Sequence, residues 1–390
     1  MALARARHRQ GRREGAVHLG RVDHRQGTPR PADARGGGAA SALRLGPQRG
    51  IRHAGAPGGA AHIWSDAAAP PQFRAGRADG DAAVNEFTGD DLTDQSGKCY
   101  VVTGANAGIG FAIAQALAGK GARVVMACRS EERARAAMDR MRPGDPAADL
   151  AFLPLDQADL ASVRKAAALA AAEPRIDALI NNAGVMVPPL SFTKDGFEMQ
   201  FGVNHLGTFA LTALMLPLLE KTAADHGEAR VVVTASIAHK KGRIDFDNLD
   251  GSRGYARMPF YQQSKLANLL FAAELDRRLR AQGSRVKAVA CHPGVAQSEL
   301  TRHIPLRRFF TPLAGLVLNT SRQGAWPALQ AACDPALQGG EYVGSRGLFE
   351  ARGPSGPAWR SAAARDPELA RRLWDVSVQM TGVDPGLPPA

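Results

Sequence analysis

Short runs of Val, Ile, Leu and Ala alternate with longer helical segments from residue 98 onwards. The runs lack a polar residue at every second position, as is typical of strands covered by helices on both faces. They predict strands near residues 99–103, 123–128, 150–155, 176–180, 229–234, 285–291 and 341–343. Helices are predicted near 108–119, 130–141, 159–173, 195–220, 261–281 and 321–334. This alternation predicts one α/β domain with a doubly wound, seven-stranded parallel sheet flanked by helices.

The first 84 residues follow neither the strand nor the helix period. Residues 1–81 hold 14 Arg, no Lys and six acidic residues, and so carry +8 of the formal net charge of +12. A segment of this composition buries too little apolar surface to offset its ordering entropy. We therefore predict a disordered, basic, low-complexity leader over residues 1–84 and a folded domain over residues 85–390.

Three origins are open for this leader. Arg-rich segments attract phosphate, so a nucleic-acid-binding arm is one alternative, which we disfavour. A targeting peptide is also disfavoured, because there is no continuous apolar stretch and no amphipathic helix. The favoured interpretation is a disordered tail, or the translation of GC-rich DNA upstream of a true start near Val84.

Cysteine usage and hydropathy suggest a cytoplasmic protein. No segment reaches the roughly 18 apolar residues expected of a membrane-spanning helix. The four cysteines, Cys99, Cys128, Cys291 and Cys333, show neither paired nor metal-type spacing. Buried free thiols in a reducing compartment are the simplest account. We expect no metal site and no nucleic-acid partner.

A glycine-rich turn follows the first predicted strand and opens a helix. Gly104 permits the tight turn, Gly108 lets the backbone approach a pyrophosphate, and Gly110 lets the helix pack closely on the strand. The spacing is G-x-x-x-G-x-G and differs from the G-x-G-x-x-G dinucleotide fingerprint. Two further strands end in small or polar residues, at 181–184 and 234–236, and ligands bind at this edge of open α/β sheets. Taken alone, the turn could also be a strand-to-helix connection without a ligand.

Tyr261 and Lys265 are four residues apart and share one face of a predicted helix. An ammonium beside a phenol favours the phenolate, so we expect Lys265 to lower the pKa of Tyr261. This pair makes Tyr261 a candidate general acid/base.

These segments together resemble the short-chain dehydrogenase/reductase family over roughly residues 90–382. The matching motifs, in chain order, are residues 103–110, 181–184, Asn204, Ser236, 261–265 and 291–294. Residues 242–249, 261–268 and 364–374 are similar to its retinol-dehydrogenase-like branch. The resemblance implies a Rossmann-like fold, hydride transfer to or from a nicotinamide cofactor, and a homodimer or homotetramer built on the long helices.

The resemblance also implies the catalytic roles. Tyr261 would be the acid for reduction, and Lys265 would also hold the nicotinamide ribose. Ser236 would hydrogen-bond the substrate oxygen, and Asn204 would anchor a water linking Lys265 to solvent. Each has a structural alternative: Ser236 as a strand-end cap and Asn204 as a helix residue bonded to backbone. His239 and Tyr255 are interpreted as substrate-loop residues.

The end of the second strand indicates NADP(H). An NAD enzyme usually places an acid there, whereas this chain has Arg129, a planar cation suited to a 2′-phosphate. Alternatively, Arg129 points to solvent. The remaining cofactor contacts implied by the resemblance are Gly104, Asn106, Gly108, Ile109, Gly110, Asp156, Asn182, Ala183, Gly184, Tyr261, Lys265, Pro293, Gly294 and Val295, with Gln297 and Ser298 near the carboxamide. Gln157, which follows Asp156, differs from the aliphatic residue that the family often has at this position.

An apolar stretch behind Arg307 and Arg308 follows the sixth strand, near residues 300–320, where the resemblance implies a substrate lid. An apolar lid fits the lipophilic alcohols and carbonyls that the branch implies as substrates. A packed helix or a shallow membrane contact are the alternatives for this stretch. Two other functions stay open. One is a light-dependent protochlorophyllide-type reductase, which needs a substrate-contacting cysteine, here Cys291 or Cys333. The other is a non-catalytic cofactor-binding scaffold.

Overall fold

An eight-stranded sheet forms the centre of the domain. The structure, a computed structural model, describes residues 86–142, 144–295 and 318–390. Its strands are β1 Cys99–Thr103, β2 Arg123–Cys128, β3 Leu150–Pro154, β4 Ala178–Asn181, β5 Ala229–Thr234, β6 Val286–His292, β7 Tyr342–Ser345 and β8 Ser355–Pro357. The order across the sheet is β3-β2-β1-β4-β5-β6-β7-β8. β1 to β7 are parallel and β8 is antiparallel to β7, so the predicted doubly wound parallel sheet is confirmed and gains an eighth edge strand.

Helices cover both faces of the sheet. They are α1 Gly108–Ala118, α2 Glu131–Met141, α3 Leu160–Ala170, α4 Met199–His226, α5 Arg257–Ala281, α6 Ser321–Cys333 and α7 Pro367–Thr381. Their starts follow local capping chemistry: Asp159 accepts two backbone N–H groups before α3, and Asp366 does the same before α7, with Pro367 at the first helical position. Within α4, residues Gly202–Leu206 form a π turn.

Alternate residues of the central strands supply two hydrophobic cores. Val101 and Val231 pack on the side of α3, α4, α5 and α7. Val102 and Val232 pack on the side of α1, α2 and α6. All four side chains are fully buried, and burying each valine contributes about 1.5–3 kcal/mol. Because the parallel strands are buried on both faces, their carboxyl ends are held in fixed positions along one edge of the sheet.

α4 is apolar enough in length and composition to cross a membrane. It has 28 residues and a mean hydropathy of 1.4, and 83% of its most apolar window is buried inside the domain. The expectation that no segment would reach this length and apolarity was wrong. Packing in the core explains the composition, because nearly all of the apolar surface is covered by protein.

The last helix, α7, covers the outer face of α4 and α5. Trp374 is buried between Phe209 of α4 and Phe271 of α5, with ring centroids 5.2 and 6.0 Å away. The Arg278 guanidinium lies 4.5 Å from the centroid of the Trp374 ring and donates to the Leu387 carbonyl. The outer face of α4 and α5 is thus covered by α7 of the same chain.

Two of the predicted segments lie outside the described residues. These are the leader over residues 1–84 and most of the lid near residues 300–320, of which only residues 318–320 are described.

Candidate active site

The carboxyl ends of β4, β5 and β6 converge on the start of α5. Tyr261 and Lys265 lie on successive turns of this helix, and both side chains are buried. Ser236 comes directly after β5 and caps the short 3₁₀ turn Ile237–Lys241, where its hydroxyl accepts the Ala238 N–H at 3.2 Å. The structure therefore brings the three residues together, as the sequence predicts.

Burial raises the pKa of the Tyr261 phenol to about 12, and the nearby Ser236 hydroxyl, which lowers this pKa, offsets only part of the rise. The prediction that the Lys265 ammonium would lower the pKa of Tyr261 was wrong, because burial has the larger effect on this pKa. A phenol with this pKa stays protonated at neutral pH, which is the state a proton donor needs.

Lys265 lies below the tyrosine ring. Its Nζ is 5.8 Å from the ring centroid of Tyr261 and donates to the Thr234 carbonyl at 3.0 Å. Burial lowers the pKa of Lys265 to about 8. The ammonium is therefore still charged near neutral pH, but it can lose its proton within reach of physiological conditions.

Asn204 sits in the π turn of α4 and faces the same region. Its Oδ1 accepts the Val185 N–H at 2.7 Å, and its Nδ2 donates to the Val185 carbonyl and to Ser264 Oγ, both at 2.9 Å. A Cβ on Gly184 would lie 2.9 Å from Asn204 Oδ1 and 3.6 Å from Lys265 Nζ. Asn204 thus joins the segment after β4 to Ser264 of α5, the residue before Lys265, and its predicted water-anchoring role stays a prediction.

The glycine turn between β1 and α1 has the shape of a phosphate cradle. Gly104 and Gly108 have φ values of 67° and 57°, which favour glycine. A Cβ on Gly110 would lie 2.6 Å from Asn182 Nδ2 and 2.8 Å from the Gly104 carbonyl carbon. The N-terminus of α1 has no side-chain cap at Ala107, so its first N–H groups are available to an anion. These residues fit a dinucleotide pyrophosphate.

Thr103, at the end of β1, opens the glycine motif and is a positioning residue, a role that the sequence did not reveal. Its hydroxyl accepts the N–H groups of Asn182 and Ala183 at 3.0 and 2.9 Å, and Asn182 Nδ2 donates back to the Thr103 carbonyl. The side chain of Asn182 therefore ties the two strand ends together. The backbone of Ala183 and Gly184 remains the surface predicted to line the cofactor ribose.

Arg129 follows β2 and is exposed, with no hydrogen bond or ion pair to the described residues. On the same side, Arg140 Nη2 donates to the Asn106 carbonyl at 3.2 Å and stacks over Phe111. Asp156 follows β3, where its Oδ1 accepts the Ala158 N–H. Ile109 is half-buried in the first turn of α1. The predicted adenosine-side residues thus lie at strand ends or in the glycine turn.

Residues 293–295, the predicted wall beside the nicotinamide, directly follow the end of β6. Asn319, which the sequence reasoning also missed, donates to the Pro293 carbonyl at 2.9 Å, and its N–H donates to the Val295 carbonyl. Gly294 has a φ of 68°, and the Val295 N–H donates to Ala351. No motif marks Asn319, because its partners, which include the Ser345 hydroxyl and backbone atoms, come from distant segments. Gln297 and Ser298 lie outside the described residues.

His239 is not a substrate-loop residue. Its side chain is fully buried, Nδ1 donates to the Ser236 carbonyl at 2.7 Å, and burial lowers its pKa. Tyr255 is half-buried and donates to the Pro188 carbonyl while accepting from Gln200 Nε2. The interpretation of His239 was therefore wrong: it supports the backbone of the serine turn from behind.

The four cysteines are free thiols, three of them buried and Cys333 half-buried. Residues 86–142, 144–295 and 318–390 contain no cluster of side chains able to hold a metal ion. Cys291 is buried and 3.7 Å from Thr234 Oγ1, and Cys333 contacts the Tyr100 hydroxyl.

Comparisons with known proteins identify the class. The family model for short chain dehydrogenases matches residues 98–308. The protein belongs to the short-chain dehydrogenase/reductase family, and so is an oxidoreductase that transfers hydride between a nicotinamide cofactor and CH–OH or C=O groups.

Its relatives lie in the retinol-dehydrogenase-like branch. It is 42% identical to human retinol dehydrogenase 11 over 288 residues, covering 74% of this chain and 86% of that protein. It is 43% identical to human dehydrogenase/reductase SDR family member 13 over 300 residues, with 74% of each chain covered. An uncharacterized protein from Mycobacterium paratuberculosis shares 39% identity and a TM-score of 0.64, over 78% of this chain and all of that one. The Pseudomonas aeruginosa RhlG/NADP complex shares 26% identity and a TM-score of 0.54, over 66% of this chain and 98% of that one.

Proposed function

We propose that the protein is an NADP(H)-dependent oxidoreductase of lipophilic alcohols and carbonyls, with Tyr261 as its general acid/base. The observation that carries the proposal is the placement of the buried Tyr261 phenol near the Ser236 hydroxyl and over Lys265, whose Nζ lies 5.8 Å from the ring centroid. A protein that only binds a cofactor has no chemical need for this arrangement.

The residues divide the chemical work. The bound nicotinamide supplies or accepts the hydride. Tyr261 holds the proton for the carbonyl oxygen, since its phenol stays protonated at neutral pH. Ser236 donates a hydrogen bond to the same oxygen as negative charge develops on it. Lys265 places a positive charge close to the tyrosine, which favours the phenolate once its proton has left.

Arg129 supports the preference for NADP(H). It is an exposed guanidinium at the end of β2 without a partner among the described residues. A 2′-phosphate on the adenosine ribose would give it a bidentate partner, whereas NAD offers none. The related RhlG structure is a complex with NADP. Asp156 and the backbone at residues 182–184 would line the adenosine, and residues 293–295 the nicotinamide.

Apolar side chains at the mouth of the site support a lipophilic substrate. Met258 is 43% exposed and lies one helical turn before Tyr261. Leu190, also 43% exposed, packs with Tyr255 and Phe260 around Gly251, where a Cβ would meet all three side chains. Several relatives are named for retinol, a lipophilic alcohol. Covering exposed apolar groups of this kind with an apolar substrate is favourable, because it removes apolar surface from water.

The assembly and location are part of the same proposal. A homodimer or homotetramer built on α4 and α5 would need the face that α7 covers, so we propose that any assembly uses another surface. The four cysteines are free thiols, which supports a reducing compartment such as the cytoplasm.

Titration of NADPH and NADH into the full-length protein, followed by fluorescence, tests the cofactor. We expect tighter binding of NADPH. Arg129→Ala should weaken NADPH binding about tenfold or more, the usual effect of losing one charged hydrogen-bond pair, and leave NADH binding unchanged. Arg135→Ala, which removes an exposed arginine paired with Glu131 on α2, is the matched control. Equal affinity for the two cofactors would contradict the NADP(H) preference.

Turnover of retinal, a steroid ketone and an aliphatic aldehyde with NADPH tests the chemistry. Tyr261→Phe should abolish turnover while NADPH still binds, because the variant loses the proton donor but keeps the ring and every other predicted cofactor contact. Binding of NADPH without turnover of any carbonyl by the wild type would favour the cofactor-binding scaffold instead.

A further inference from the structure

The π turn in α4 leaves one backbone carbonyl without its helical partner. The Gly207 N–H donates to the Gly202 carbonyl, five residues back. In a regular α-helix this N–H would donate to Val203 instead. The Val203 side chain and its neighbours in the turn are buried, so water is not at hand. The Val203 carbonyl therefore needs a donor from elsewhere in the protein.

Gln157 supplies that donor from the loop after β3. Its Nε2 lies 3.3 Å from the Val203 carbonyl oxygen and 3.1 Å from Thr208 Oγ1. The residue is 7% exposed, and its Oε1 has no partner among the described residues. Rotating the amide would set Oε1 against the Val203 oxygen, so the donor orientation is fixed by chemistry. Gln157 Oε1 is thus a buried acceptor without a partner in the described part of the chain, while Nε2 is used as a donor. An unsatisfied buried acceptor lowers stability, and an apolar side chain at this position would avoid that loss.

The backbones of the two segments also touch. A Cβ on Gly207 would lie 2.6 Å from the Gln157 carbonyl oxygen. Gln157 directly follows Asp156, which is assigned to the adenine end of the cofactor, and the π turn carries Asn204. The loop after β3 and the catalytic end of the site are therefore joined through one buried amide.

We propose that Gln157 is a positioning residue that holds the π turn of α4 in register and thereby fixes Asn204 against Val185 and Ser264. It touches neither substrate nor cofactor. The inference rests on the proposed function, because the position of Asn204 affects turnover only if Tyr261 is the general acid/base and Asn204 has its predicted role in resupplying the proton. It also explains why this chain carries an amide where the family often has an aliphatic residue.

Gln157→Met tests the proposal, because it keeps the length of the side chain and removes the donor. We expect kcat to fall roughly tenfold, since a displacement of catalytic groups by 1 Å can cost about a hundredfold. The affinity for NADPH should stay within twofold. The solvent deuterium isotope effect on kcat should rise, because proton resupply becomes slower. Amide hydrogen exchange over residues 202–208 should speed up. Thr208→Val, which removes the other partner of Gln157, is the matched control and should leave kcat within twofold.

The outcomes separate the inference from the function. If the wild type neither binds NADPH nor turns over a carbonyl, the proposed function fails, and the hydrogen-exchange comparison alone decides the role of Gln157. Unchanged kcat, isotope effect and exchange in a folded Gln157→Met protein overturn the inference, as does an equal loss of NADPH affinity and kcat. Should Gln157→Met not fold, Gln157→Leu and a crystal structure of the wild type replace it. Electron density that places Gln157 Nε2 beyond hydrogen-bond distance of the Val203 carbonyl also overturns it.

Discussion

Gly110→Ala should damage the cofactor cradle and the fold together. Alanine favours a helix over glycine by about 1 kcal/mol, which opposes the damage. However, the new Cβ would lie 2.6 Å from Asn182 Nδ2 and 2.8 Å from the Gly104 carbonyl carbon, well inside van der Waals contact. Because Gly104 is backbone in a tight turn, α1 must move away from β1. Such overpacking costs about 1–3 kcal/mol at ordinary core sites, and a rigid backbone neighbour places this case at the upper end.

The net loss in the free energy of unfolding is therefore about 1–2 kcal/mol after the helix gain is subtracted. Urea unfolding measures this, and fluorescence titration should show at least a tenfold weaker affinity for NADPH, since the N–H groups of α1 move relative to the turn. Gly144→Ala is the control, because its Cβ would lie 3.6 Å from the nearest atom outside its immediate neighbours, Met141 O. A Gly110→Ala protein as stable as Gly144→Ala, with unchanged NADPH affinity, would refute the close-packing argument.

Three further predictions concern ionisation and packing. The rate of carbonyl reduction should fall as the pH rises through about 8, because Lys265 loses its charge there while Tyr261, with a pKa of about 12, stays protonated; a flat profile to pH 9.5 would contradict this. Trp374→Ala should lower the free energy of unfolding, measured by urea melts, by about 3–5 kcal/mol. Trp359→Ala should lower it by less than about 1 kcal/mol, because Trp359 is 44% exposed. Burial lowers the pKa of His205 to about 3, so the unfolded chain binds a proton below about pH 6.5 that the folded chain rejects. The free energy of unfolding should then decrease as the pH is lowered from 6.5 to 4.5. His205→Gln should reduce this slope by about 1.4 kcal/mol per pH unit, whereas His226→Gln, at an exposed position, should not.

The sheet could be predicted closely where apolar runs end at polar residues or glycine. The bounds of β1, β2 and β5 agree with the prediction to the residue. The edge strand β8 could not be found in this way, because Ser355, Gly356 and Pro357 form no apolar run. Its existence depends on pairing with β7, where Gly344 meets Gly356, and proline is tolerated there because the strand lies at the edge.

The sequence predicted which candidate residues lie near one another, but not the electrostatics or the supports of the site. Spacing placed Tyr261 and Lys265 on one helix face, yet it carried no information on burial, which reverses the expected pKa shift of the phenol. His239 was misinterpreted for the same reason. The π turn depends on a donor 46 residues earlier in the chain, Gln157, so no local pattern around Asn204 could reveal it.

The position of α7 has a consequence for the behaviour of the enzyme on dilution. Trp374 and its neighbours give α4 and α5 an apolar covering that stays covalently attached. An obligate dimer loses such a covering when its subunits separate, so its folding depends on protomer concentration. Here the covering is intramolecular, and the free energy that it contributes does not vary with the amount of protein in the cell.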